Sequence, residues 1–94
     1  MRIIWTAEAL SDLEEILFFY YREAGPRTAA AVASRIVSQV EGLMIFPERT
    51  RQSDHIPGTR ELVINKLTYT AFLLLHSDKM VILNVVHTAR KFPA

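Results

Sequence analysis

"YTAFLLLHSDKMVILNVVH" (69–87) holds two apolar runs, "YTAFLLLH" (69–76) and "MVILNVVH" (80–87), separated by Ser77-Asp78-Lys79. Runs of eight residues rich in Leu, Val, Ile and aromatics, parted by a short polar break, read as two antiparallel strands. A third run, "RELVIN" (60–65), precedes them across the turn "NKLT" (65–68), which makes a three-stranded meander.

Upstream, the pattern changes period. From Ala7 to Ala24 the apolar residues Leu10, Leu13, Ile16, Leu17, Tyr20 and Ala24 recur every three or four positions, with Asp12, Glu14, Glu15 and Arg22 opposite them. That spacing predicts an amphipathic helix, with Thr6 as its cap and Glu8 in its first turn. Gly25-Pro26 ends it and starts another. From Thr28 to about Ile45, Ala29, Val32, Ala33, Ile36, Val37, Val40, Leu43 and Met44 form a broad apolar stripe. The two helices make an αα-hairpin. "FPERTRQSDHIPGT" (46–59) reads as a loop, with Pro47 ending the second helix. "RIIW" (2–5) is a short strand, expected at a sheet edge. The order is β-α-α-β-β-β, a two-layer α+β domain spanning residues 1–94, with the hairpin packed on an antiparallel sheet.

The chain has 94 residues, 50% of them hydrophobic, enough for one modest core. It has no cysteine, which excludes disulfides and thiolate metal sites and suits a reducing cytoplasm. "MRIIWTAEAL" meets Glu8 too early for a signal peptide, and no apolar run approaches a membrane span. The net charge of +1 does not favour strong nonspecific nucleic-acid binding. The charges are segregated, however. Glu8, Asp12, Glu14, Glu15 and Glu23 come early, while Arg49, Arg51, Arg60, Lys66, Lys79, Arg90 and Lys91 come late, which hints at an anionic partner.

Four stretches belong together: "W-T-x-x-A-x-x-D-L-x-x-I" (5–16), "G-T-R-E-L-V-I" (58–64), "V-I-L-x-V-x-H-x-A-R" (81–90) and a closing Phe92-Pro93. In this order and spacing they resemble the RelE/ParE toxin superfamily, the toxins of type II toxin–antitoxin modules. The resemblance covers nearly the whole chain. It implies the same β-α-α-β-β-β order, a cytoplasmic protein and a small cognate antitoxin as partner. It implies no cofactor and no metal, and contact with operator DNA only through the antitoxin. One branch of the superfamily cuts messenger RNA on the ribosome; the ParE-like branch blocks DNA gyrase.

Cleavage by 2′-hydroxyl attack needs a base, an acid and cations around the phosphate. The nuclease candidates are Arg60, which the resemblance places on the concave face of the sheet, His87 and Arg90. Each has a plainer reading. Arg60 pairs with an acid such as Glu61, His87 is a strand-end histidine bonded to its surroundings, and Arg90 ties the tail to the sheet. In a regular strand His87 shares a face with Val85 and Leu83, opposite Val86; on a core face it would be structural. RelE-like nucleases carry Tyr or His in the tail, where this chain has Phe92, which cannot move a proton. That departure, with the H-x-A-R ending, favours the ParE-like branch. A third reading is a member acting only in an antitoxin–operator repressor complex.

Arg49, Arg51, Arg60 and Arg90 are candidates for binding the target or antitoxin. His55, beside Asp54, reads as a solvated loop histidine. In "FFYY" (18–21) Tyr20 belongs to the core stripe, which leaves Phe18 and Phe19 as candidate interface residues. Trp5 reads as a core anchor under the hairpin.

Overall fold

A computed structural model describes residues 2–88. The elements are β1 (Arg2–Trp5), α1 (Ala7–Ala24), α2 (Pro26–Glu41), 3-10 turns at Gly42–Met44 and Pro47–Arg49, β2 (Arg51–Gln52), β3 (Arg60–Val63), β4 (Tyr69–His76) and β5 (Lys79–His87). The sheet order is β1-β5-β4-β3-β2. All three strands of the meander pair antiparallel as expected, and β1 occupies an edge. There it runs parallel to β5, so the sheet is mixed, which corrects the wholly antiparallel expectation. The geometry follows from the αα-hairpin, which carries the chain back over the sheet between β1 and the meander.

Thr6 joins the two layers. Its side chain accepts from the Ala9 amide (3.1 Å) as the cap of α1 and donates to the Ile82 carbonyl (2.8 Å). Between α1 and α2, Gly25 sits at φ +91°, a conformation that side-chain-bearing residues rarely adopt. α2 ends at Glu41 rather than near Ile45, and Gly42, not Pro47, marks the end. The apolar pattern continues past that point because Leu43 is buried from a 3-10 turn.

The core lies between the hairpin and one face of the sheet. Ala9, Ile16, Val32, Ile36, Val40 and Leu43 meet Leu62, Ile64, Tyr69, Ala71, Leu73, Met80, Ile82 and Val85. Trp5, Leu13 and Tyr20 pack against it half-buried, in keeping with the expectation for Trp5 and Tyr20.

β5 carries a bulge. Phe72 pairs with Asn84 but the next residue, Leu73, pairs with Ile82, so Leu83 is extra. The bulge explains why Met80, Ile82 and Val85 are all buried although their spacing breaks strict alternation. It also corrects the expected face for the strand end: Val85 and His87 share the helix side, but Leu83 does not join them.

Candidate partner-binding surfaces

The bulge positions the first polar site. Asp12, on α1, accepts from the Val85 amide (2.9 Å) and the Asn84 side-chain amide (3.3 Å) through one oxygen, Oδ2. The Thr-x-x-Ala-x-x-Asp spacing thus places two clips, Thr6 at the cap of α1 and Asp12 in its second turn, against the same strand. Both grip β5, and Ala9 between them is fully buried where the helix approaches the strand.

The second site is built on β3. The side chains of Leu62 and Arg60 point to the helix side, and those of Glu61 and Val63 to the other, following the pairing of Leu62 with Ala71 and of Glu61 with Phe72. Glu61 is 2% exposed. Its carboxylate accepts from Ser53 Oγ (2.6 Å), His55 Nδ1 (3.1 Å) and Arg51 NH2 (3.3 Å). Burial pushes this carboxyl up, but the hydrogen bonds from Ser53, His55 and Arg51, with the arginine's charge, outweigh it and hold Glu61 below its ordinary value. Ser53 Oγ also accepts the amides of His55 and Ile56, which folds the 53–59 loop over the strand. Nothing in the apolar periodicity marked Glu61. The available signal was an acid inside a strand next to a loop rich in hydrogen-bond donors.

Arg60 lies on the helix side of the sheet, and among the described residues its hydrogen bonds go to Thr50 and not to an acid. Its Nε donates to Thr50 Oγ1 (2.7 Å) and its NH2 to the Thr50 carbonyl (3.1 Å). Glu61, with which it was expected to pair, is taken by Arg51. Arg49 lies over the Phe46 ring at 4.4 Å, beside exposed Met44 and Ile45. His55 is a ligand of the Glu61 carboxylate rather than a purely solvated loop residue.

His87 is half-buried. Its Nε2 lies 2.9 Å from Thr68 Oγ1, and its ring stands edge-on to Tyr69 at 5.4 Å. Arg60 and His87 do not converge. Their partners on β4, Leu73 and Tyr69, are four residues apart, roughly 13 Å along the strand. Arg90, the third nuclease candidate, lies outside the described residues, as does Phe92. Among the described residues no group of three or more His, Asp or Glu is placed to hold a metal ion. No helix among them is long and apolar enough to cross a membrane.

The apolar surface is concentrated on α1. Phe18 and Phe19 are 61% and 47% exposed, as the crowding of four aromatics on one helix predicts. Arg22 lies over the Phe18 ring at 5.3 Å. Leu10, Leu17 and Tyr21 are exposed as well. They recur at i, i+7 and i+11 and form a separate stripe beside the buried side of the helix, a feature the reading of Leu10 and Leu17 as core positions had missed.

The pattern of the family described as the ParE toxin of type II toxin-antitoxin system, parDE, matches residues 3–92. The chain belongs to this family. A solved structure from the chromosomal ParDE TA system of P. aeruginosa is 28% identical, superposes with a TM-score of 0.85, and the match covers 93% of this chain and 95% of that one. Comparison with curated protein sequences gives no match. As a ParE-family protein the chain is the toxin component of a type II toxin–antitoxin system, with the two-layer α+β fold of its structural relative.

Proposed function

We propose that this ParE-family toxin acts in the cytoplasm as a binding inhibitor of DNA gyrase and is held silent by a cognate antitoxin. The observation that supports the reading is the separation of Arg60 and His87, the two nuclease candidates among the described residues. Arg60 is engaged by Thr50 and His87 by Thr68, on β-strand positions too far apart to act on one phosphate. A protein that works by occupying its target needs surface rather than a proton relay, and exposed aromatics and arginines are what such surfaces use.

The antitoxin covers the α1 stripe of Leu10, Leu17 and Tyr21 with the apolar face of a helix, a common mode of peptide recognition. Phe18, Phe19, Arg49 and Arg51 complete the surface for antitoxin or target. Arg60 serves it indirectly, by fixing Thr50 at the base of the arginine-bearing loop. Arg90 is proposed as a further contact. Operator DNA is reached only through the antitoxin.

Purified gyrase tests the reading directly. Supercoiling of relaxed plasmid should be blocked by the chain and restored by the antitoxin. Undiminished supercoiling, with messenger RNA cut in a translating extract, would assign the chain to the ribosome-directed alternative.

A further inference from the structure

A cavity of about 240 Å³ opens between α1, the start of β4 and the end of β5. That is room for one side chain, below the roughly 300–1,000 Å³ of sites for drug-sized ligands. Asp12, Glu15, Phe19 and Tyr20 line it from α1, at i, i+3, i+7 and i+8, positions that share one side of a helix. Tyr69 and His87 line it from the sheet. The rings stand in two edge-on pairs, Phe19 with Tyr20 at 5.2 Å and Tyr69 with His87 at 5.4 Å. Among the described residues, the lining thus combines aromatic rings with two acidic side chains and contains no lysine or arginine.

We propose that this cavity receives one cationic side chain, an arginine or lysine of the antitoxin. Aromatic faces attract cations, and acidic side chains beside them add charge of the right sign. A neutral apolar side chain would cover Asp12 and Glu15 without pairing them, which costs free energy, and an anion would be repelled. Asp12 is held in place for the task, because its Oδ2 accepts from the Val85 amide and the Asn84 side chain on β5. Glu15 is exposed and open to a partner. The choice of the antitoxin rests on its proposed seat along α1. On the outer side of that helix, Phe18 and Phe19 stand exposed between the Leu10, Leu17 and Tyr21 stripe and the cavity. A partner chain seated on the stripe therefore reaches the cavity without leaving α1.

The probe is N-acetyl-L-arginine methylamide, titrated into the isotope-labelled full chain. The amide signals of Phe19, Val86 and His87 should shift saturably, with an affinity in the millimolar range, and N-acetyl-L-norleucine methylamide should leave them unmoved. Glu15→Gln removes one charge from an exposed position and should weaken the probe by about threefold. Asp12 is left unsubstituted because it also holds β5. In the complex, the antitoxin's lysines and arginines are replaced one at a time and Kd is read by calorimetry. One of these changes should cost about tenfold against the unsubstituted toxin and clearly less against Glu15→Gln. A probe that does not bind, an equal response to the norleucine compound, or the lack of any antitoxin cation coupled to Glu15 would overturn the proposal. The seat on the stripe is tested apart from it. If Tyr21→Asp leaves antitoxin affinity unchanged while a cation still couples to Glu15, the stripe fails and the cavity stands. If Tyr21→Asp weakens binding and no cation couples, the cavity alone fails.

Discussion

A buried carboxylate is costly unless its oxygens are satisfied, and Glu61 shows how this domain satisfies one. Three donors from a five-residue stretch, Arg51, Ser53 and His55, converge on it, so the charged form is favoured in the fold despite burial. The sign of the pH dependence follows. With the folded-state value lowered, the contribution is complete above the ordinary carboxyl value of 4.5 and is lost as pH falls through the lower, folded-state value. Glu61→Gln should therefore flatten the acid limb of a stability-versus-pH curve and cost about 1–3 kcal/mol at neutral pH, measured by urea unfolding. Asp12 makes a comparable case in a different place. Asp12→Ala removes the acceptor for the Val85 amide at the bulge and should destabilise by about 1–3 kcal/mol, with α1 losing its second clip to β5. Neither role was legible residue by residue. Asp12 stood in a recognisable spacing, but its partner lies 73 positions away and exists only because of an irregularity in β5. The same irregularity decides His87, whose neighbours could not be counted correctly along a strand assumed regular.

Among the elements, period and punctuation carried most of the information. Helix α1 starts at its cap and stops at Gly25, as its sequence says. The 69–76 strand agrees residue for residue with its expected span. The errors have specific physical causes. A 3-10 turn keeps burying apolar residues after the α-helix has ended, so α2 looked longer than it is. A four-residue strand has no periodicity from which to read whether its partner is parallel. The tight β4–β5 turn puts Ser77 at φ 55°, a left-handed conformation that costs a side-chain-bearing residue about 1 kcal/mol or more relative to glycine. Ser77→Gly should accordingly raise the unfolding midpoint modestly, by an amount worth up to about 1 kcal/mol, despite the greater freedom of glycine in the unfolded chain. Gly25→Ala is the mirror experiment. Open space surrounds the site, so the penalty is conformational alone, about 1 kcal/mol or more in the same measurement.

For the whole molecule, the fold explains an apparent excess of apolar sequence. A two-layer domain with a helical hairpin on one side can bury only one stripe of α1, and this helix carries apolar residues well beyond that stripe. On the proposed function the surplus is surface for partners, which a toxin held by an antitoxin would use. Tyr21→Asp, which alters an exposed position, should leave the unfolding midpoint within about 0.5 kcal/mol of the original while weakening antitoxin binding at least about tenfold by calorimetry. An unchanged affinity would move the antitoxin off this stripe. The family, the fold and the hairpin were visible in the sequence because they rest on long, in-register patterns. The target was not, because gyrase inhibition and ribosome-directed cleavage use the same scaffold and differ in a few side chains. The most direct test is pulse labelling in cells after the chain is induced without its antitoxin, following DNA and protein synthesis in parallel. The account predicts that DNA synthesis stops first, with translation continuing. Arrest of translation within minutes while DNA synthesis continues would contradict it.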